Sequence, residues 1–214
     1  MCVKRGPLAV KRLIDIALSL ISLIVLAIPL LGVAVWVKLD SPGPVFFRQR
    51  RPGKGKKPFP VWKFRTMLHR PKPRTPEAPP GLDDPRVTMA GRFLRRSGID
   101  ELPQLVNVLL GQMSLVGPRP TLWERADSFS EPHQRRFDMR PGITGLALIS
   151  GRNRLSWDEK AELDVFYVEH WTLAMDLRIL WKTPWVLLRG VGVFMNPRDS
   201  IAAGGDDDAL SSAR

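Results

Sequence analysis

Two adjacent carboxylates, Asp100 and Glu101, follow Gly98 and precede Pro103, and arginines crowd them: Arg95 and Arg96 upstream, Arg119 in Gly117-Pro118-Arg119-Pro120 downstream. Proline is tolerated in the first turn of a helix but not deeper, so the spacing predicts Asp100 at a helix start. A carboxylate there can serve as a magnesium ligand, as a nucleophile that forms an acyl phosphate, or only as an N-cap. The unpaired N–H groups of such a terminus favour anions, phosphate among them. Adjacent helical residues point roughly 100° apart, so Asp100 and Glu101 cannot act as a facing acid and base by local geometry alone. They have different jobs. Flanking prolines hold Arg119 extended and stiff, able to grip phosphate with two donors at once. With Arg140 in MRPGITG and with GRN at residues 151–153 it belongs to a series of glycine-broken, arginine-bearing loops suited to a diphosphate. Lys63 and Arg65, in VWKFRTM, either lend such a site electrostatic support or form a solvated basic face.

The rest of the composition fits an anionic ligand. A chain of 214 residues holds one catalytic domain and an anchor. Its 33 Lys and Arg against 21 Asp and Glu give a net charge of +12, which calls for nucleic acid, anionic headgroups or a phosphorylated substrate. The single cysteine, Cys2, excludes an intrachain disulfide. His69, His133 and His170 lack the short spacing of a structural zinc site.

These residues need elements to position them. Residues 18–37, LSLISLIVLAIPLLGVAVWV, carry no charge and have membrane length. Being apolar all round, the run differs from the striped helix of a soluble core, and it lacks a cleavage pattern of the Ala-x-Ala kind. Lys4, Arg5, Lys11 and Arg12 precede it, while Arg48, Arg50, Arg51, Lys54, Lys56 and Lys57 follow. Positive flanks prefer the cytoplasm, so basic residues on both sides, with Pro29 to interrupt the helix, predict a re-entrant hairpin. Residues 45–50 and 61–67 read as a small β-hairpin. The proline-rich stretch 69–85 reads as an irregular loop, either mobile over the site or a linker. Helices are expected near 89–96, over the amphipathic DELPQLVNVLLG, from the Ser156/Glu159 capping box to about His170, and over 173–188, where Pro184 should kink or end the last one. Trp171, Trp181 and Trp185 suit either a membrane interface or a core. Residues 197–214 read as a disordered tail in which Asp206, Asp207 and Asp208 are solvated.

Taken in order, KRLIDI at Lys11, WKFRTM at Trp62, IDELPQLVNVLLGQMSLVGPRP at Ile99 and RPGITGLA at Arg140 resemble the small monotopic bacterial phosphoglycosyl transferases over most of the chain. The resemblance implies an α+β, mostly helical fold. Residues 1–40 would be a re-entrant membrane anchor broken at Pro29, residues 41–196 a cytoplasmic catalytic domain with a small β-hairpin and interfacial helices, and 197–214 a tail. It implies Asp100 and Glu101 as the catalytic dyad, Mg²⁺ as cofactor held in part by Asp100, and Arg119, Arg95, Arg140, Lys63 and Arg65 as phosphate-binding cations. The partners implied are a UDP-sugar donor, a polyprenyl (undecaprenyl) phosphate acceptor and membrane lipid, with no nucleic acid. The implied reaction gives a polyprenyl-diphosphate sugar and UMP through an aspartyl phospho-sugar, as the first membrane step of exopolysaccharide, O-antigen or glycoprotein glycan synthesis at the cytoplasmic face of the inner membrane. Ile28 and Leu148 depart from the Ser and Gln that family members often carry there. A homo-oligomer is compatible with the sequence. The alternatives are a membrane-tethered nucleic-acid-binding protein, which leaves the carboxylate pair unexplained, and a non-catalytic scaffold, which an activity assay separates.

Overall fold

A computed structural model describes residues 5–69 and 84–189. Within them the chain is α+β and mostly helical: α1 (Arg5–Val25), α2 (Ala27–Asp40), β1 (Phe46–Pro52), β2 (Pro58–Phe64), α3 (Met89–Ser97), α4 (Gln104–Leu109), β3 (Ser114–Val116), α5 (Trp123–Ser128), α6 (Glu131–Gln134), β4 (Gly142–Thr144), α7 (Leu146–Ser150), α8 (Trp157–His170) and α9 (Leu173–Leu188). Most of the proline-rich stretch and all of the acidic tail lie outside the described residues.

The apolar run is divided between α1 and α2, which meet at 65°; no single described helix is long and apolar enough to cross a membrane, though the bent pair has the length and composition. The bend falls at Leu26, not at the expected Pro29. Pro29 sits in the first turn of α2, where its missing N–H is no loss, and its ring excludes the carbonyl of the residue four before it, so the helix breaks just upstream. Ile28, beside the bend, is among the most exposed apolar residues, at 84%.

Both arms of this pair are tied into the same body. Lys11, Asp15 and Ser19 share one buried face of α1. Lys11 Nζ meets Asp176 Oδ2 of α9 at 2.6 Å and donates to Val116 O at 3.0 Å. Asp15 accepts from Ser114 Oγ at 2.8 Å and Leu115 N at 3.1 Å. Arg12 donates to Val108 O and Leu109 O at 2.6 and 3.0 Å, satisfying the terminal carbonyls of α4. Tyr167 Oη and Trp171 Nε1 complete the shell of Asp176 at 2.6 and 3.1 Å. On the other arm, Arg65 donates to the carbonyls of Val37, Ser41 and Pro42 at 2.8, 2.6 and 3.0 Å. Asp40 accepts from Ala90 N at the start of α3. The expected boundary after residue 40 is therefore crossed by hydrogen bonds from both helices of the bent pair.

β1 and β2 form the expected antiparallel hairpin, with Phe46 opposite Phe64 and Pro52 opposite Pro58, so the strands reach further into the basic stretch than the sequence suggested. The far edge of β2 is satisfied by a side chain: Asn107 of α4 accepts from Trp62 N at 3.1 Å and donates to Pro60 O at 2.7 Å. A second, parallel pair, β3 with β4, was not expected; three residues per strand give no readable period. Ser156 and Glu159 form the reciprocal capping box that opens α8. α9 runs on past Pro184 to Leu188, without the one bond that proline cannot donate to the Leu180 carbonyl.

Lys11→Met removes one partner of a pair whose side chains are both 8% exposed and leaves the Asp176 charge with fewer donors. The expected loss is about 3 kcal/mol, the scale for breaking a buried ion pair from one side. Thermal unfolding in detergent measures it; an unchanged Tm would mean that the pair is neutral for stability.

Candidate active site

Three separate elements deliver the central residues. The αL turn at Gly98 (φ 75°) ends α3 and starts a single 3₁₀ turn, Ile99–Glu101. Asp100 and Glu101 stand in that turn, with α4 beginning only at Gln104. Asp100 is thus not the cap of a helix, and the anion-attracting terminus expected from the sequence is not what surrounds it. Its environment is made by side chains.

Glu101 is gripped from two sides. Lys63 Nζ, projected from β2, lies 2.7 Å from Glu101 Oε1. Arg119 meets both carboxylate oxygens, Nη2 to Oε1 at 2.6 Å and Nη1 to Oε2 at 3.1 Å. The Asn107 bridge to β2 fixes the register that aims Lys63, because a slip of one residue would turn it to the other face. Arg119 is fixed through its backbone: its carbonyl accepts from Arg136 Nη2 at 2.9 Å, and Arg136 is itself paired with buried Asp164 at 2.5 Å. Gly117 N donates to Thr144 O and Gly142 N to Pro118 O, each at 2.9 Å. This interlocking explains the glycines of GPRP and RPGITG: a Cβ on Gly142 would lie 2.1 Å from Gly117 N, and one on Gly117 2.5 Å from Arg140 O.

Asp100 is 8% exposed, and among the described residues no group donates a hydrogen bond to its carboxylate. Burial and the neighbouring Glu101 charge push its pKa up to about 6, against the pull of Lys63, Arg119 and Arg95. Glu101 moves the other way. Burial would raise it, but the charges and hydrogen bonds of Arg119 and Lys63 prevail and hold it well below the usual range. Two adjacent carboxylates are thereby differentiated, one anion fully committed and the other uncommitted and destabilised in its charged form.

The cations divide. Lys63, Arg119 and Arg95 face the pair, Arg95 also donating from Nε to Thr66 Oγ1 at 3.0 Å. Arg65 does not belong to the site: it is 5% exposed and caps the end of α2. Arg140 donates from Nε to Gly111 O at 2.8 Å, and its charge acts on Arg12, so it covers the end of α4. Two arginines outside the expected set join in. Arg152 takes a positive φ of 58°, uncommon for a residue with a Cβ; its Nη1 is buried without a hydrogen-bond partner among the described residues, and its charge is felt at Arg119, Glu101 and Asp100. Arg51, from the end of β1, faces Arg119, Glu124 and Glu101. The GRN sequence signalled the first; nothing local separated Arg51 from its basic neighbours.

The donor set fits a magnesium ion of one kind only. Among the described residues no three acidic, His or Cys side chains cluster as a metal site, and both Glu101 oxygens are engaged. An ion here would rest on Asp100 with ligand phosphate oxygens and water, which is how Mg²⁺ is commonly held.

Comparison with known proteins gives the family of the chain. A sequence profile described as bacterial sugar transferase matches residues 7–190. The chain is 44% identical over 183 residues to an uncharacterized sugar transferase, EpsL, of Bacillus subtilis (strain 168), covering 86% of this chain and 89% of that protein. It is 42% identical to the UDP-glucose:undecaprenyl-phosphate glucose-1-phosphate transferase of Escherichia coli (strain K12), covering 81% of this chain but 39% of that one. The undecaprenyl-phosphate galactose phosphotransferase of Salmonella typhimurium is 37% identical, over 89% of this chain and 43% of its own. The chain belongs to the bacterial sugar transferase family, as its motifs indicated. It corresponds to nearly all of EpsL and to about two fifths of the two enteric enzymes.

A carboxyl whose folded pKa lies above its ordinary 3.8 makes the folded state less stable as pH rises through the interval from 3.8 to about 6, because only the folded chain still holds the proton there. Above that interval the loss is complete, on the order of 2–3 kcal/mol. Asp100→Asn removes the penalty. Its Tm should exceed that of the wild type near pH 7.5 and match it near pH 4. A lower Tm at pH 7.5 would mean that the surrounding cations need the Asp100 charge more than burial opposes it.

Proposed function

We propose that the protein transfers a sugar 1-phosphate from a UDP-sugar to a polyprenyl phosphate, giving a polyprenyl-diphosphate sugar and UMP, with Asp100 as the nucleophile. The observation that carries this reading is a buried Asp100 without hydrogen-bond partners among the described residues, beside a Glu101 whose charge is already neutralised by Arg119 and Lys63. Membership of the sugar transferase family and relatives named as undecaprenyl-phosphate sugar-phosphate transferases support it.

In the first step an Asp100 oxygen attacks the β-phosphorus of the donor. The bond from that phosphorus to the bridging oxygen breaks, its electron pair leaves with UMP, and the sugar phosphate stays on Asp100 as an acyl phosphate. In the second, an oxygen of polyprenyl phosphate attacks the same phosphorus and the carboxylate departs. Desolvation favours this use of Asp100, since a carboxylate poorly stabilised as an anion is the better nucleophile once charged. Lys63, Arg95 and Arg119 counter the charge that builds on the phosphoryl oxygens. Glu101 is a positioning residue, holding the Lys63 and Arg119 heads beside Asp100. A magnesium ion on Asp100 would supply further charge neutralisation of the diphosphate.

The anchor is read as re-entrant, with the catalytic residues at the cytoplasmic face. Its two arms are held in one body, by burial as far as Ser19 on the way in and by the hydrogen bond to the Val37 carbonyl on the way out. From those points to Leu26 the helices extend about 10 and 16 Å at 1.5 Å per residue. That is roughly half of the ~30 Å hydrocarbon core or less, so the pair enters one leaflet and returns. Basic residues on both flanks favour the cytoplasmic side.

Two experiments test these readings. Protein incubated with the correct UDP-sugar and Mg²⁺, without lipid, should release about one equivalent of UMP in a burst and gain the mass of a phospho-sugar. Asp100→Asn should abolish both signals. Normal turnover with lipid present, but no burst and no adduct without it, would leave Asp100 a ligand rather than the nucleophile. For the anchor, cysteines introduced at Pro7 and at Lys54 should be labelled by an impermeant reagent from the same side of sealed membranes; labelling from opposite faces sinks the hairpin.

A further inference from the structure

Trp157 opens α8 with its ring partly exposed, and two cations lie over it: the Arg125 guanidinium and Lys160 Nζ, each 4.6 Å from the ring centroid. Lys160 is half-buried, and among the described residues no carboxylate lies in ion-pair reach of it. The acids nearby are engaged elsewhere. Glu159 turns back to Ser156 N at 2.7 Å in the capping box, and Asp164, one turn on, is taken by Arg136. Burial, then Arg119 and Arg125, lower the Lys160 pKa, with Glu159 alone opposing. A lysine over an aromatic ring, facing arginines, is held where charge repulsion disfavours it unless an anion arrives.

The wider surroundings have the same imbalance. Lys63, Arg95, Arg119, Arg51, Arg152, Lys160 and Arg125 are linked by charge to a region whose carboxylates are Asp100, Glu101, Glu124 and Glu159, leaving three positive charges in excess. Among the described residues the Arg51 side chain makes one hydrogen bond, to Gln49 Oε1, and the buried Arg152 Nη1 has no acceptor. We propose that Lys160, held over Trp157 and assisted by Arg51 and Arg152, binds the phosphate of the nucleoside monophosphate half of the donor. This rests on the transfer reaction proposed above. As Asp100 bonds to the β-phosphorus, the electron pair of the broken bridge becomes a new anionic oxygen on the departing nucleoside monophosphate. Fixed cations at that position stabilise the charge as it develops.

Two phosphate sources compete for such a site, the nucleotide and the lipid acceptor, and position distinguishes them. Arg95 projects from α3, which packs on α2 through the Trp36 and Phe93 rings, 5.5 Å apart. Its charged neighbours are Asp100, Asp84 and Arg86. Lys160 projects from α8, which packs on α6, α7 and the Arg135–Asp138 turn. The anchor side of Asp100 suits the lipid, and the Lys160 side suits the soluble donor.

Steady-state kinetics on the full chain in detergent test this, with KM for the donor, KM for polyprenyl phosphate and Ki for UMP measured separately. Lys160→Met should raise donor KM and UMP Ki about tenfold, the scale of one charge-assisted hydrogen bond, with acceptor KM unchanged. Lys160→Arg should restore most of the loss. Unchanged donor KM and UMP Ki in Lys160→Met would overturn the assignment, and a rise confined to acceptor KM would give the phosphate to the lipid instead. Calorimetric titration with UMP reads the same subsite without turnover: weaker binding by Lys160→Met supports it and equal binding refutes it. Failure of the wild type to release UMP from any UDP-sugar would count against the transfer reaction itself.

Discussion

Glu101 is the pivot of the site. Its two oxygens satisfy Arg119 and Lys63 together, so cations from a loop after β3 and from β2 converge beside Asp100 without binding it directly. Had Asp100 taken those partners, it would be a stable ion-paired carboxylate. Because Glu101 takes them, Asp100 keeps the cost of desolvation and the repulsion of its neighbour, while the cations stay close enough to meet an incoming phosphate. Charge is stored in the arrangement before the ligand arrives, which is the meaning of electrostatic preorganisation.

That arrangement depends on supports far from it in sequence. Asn107 fixes β2 against α4 and so aims Lys63; Asp164 and Arg136 hold the carbonyl of Arg119; Gly117 and Gly142 let two backbone segments touch. The same body receives the anchor. Lys11, Arg12 and Asp15 enter its interior from α1, and Arg65 closes α2 onto it. An apolar helix pair joined by buried polar contacts is fixed in its orientation to the site, which a flexible linker would not achieve. The exposed Leu177, Trp181, Trp185 and Leu188 of α9 follow at helical spacing and are available to a membrane interface.

Much of this was legible in the chain before folding. The apolar length and its basic flanks, the capping box of α8, the β-hairpin, the Asp-Glu pair and the short motifs in their order are properties of local composition and spacing. Those properties decide helix ends, strand periods and family resemblance. Local signals also misled where a local rule was overridden. Pro29 displaced the break to Leu26 by the reach of its ring, Pro184 left α9 intact near its end, and Asp100 fell in a 3₁₀ turn instead of at a helix cap.

The allocation of arginines and lysines was decided only in three dimensions. Thirty-three cations look alike in sequence, and each has a long side chain whose target is a carbonyl, a carboxylate or a ring several elements away. Arg65 and Arg140 went to helix ends, Arg119 and Lys63 to Glu101, Arg152 to the site from its GRN loop, and Arg51 to the site unannounced. The sequence by itself determined the class of fold, the apolar N-terminal segment and the two adjacent carboxylates, because those depend on neighbours along the chain. Tertiary structure decided which carboxylate is committed and which cations surround it, because ion pairing and desolvation depend on distances that only the packed chain defines.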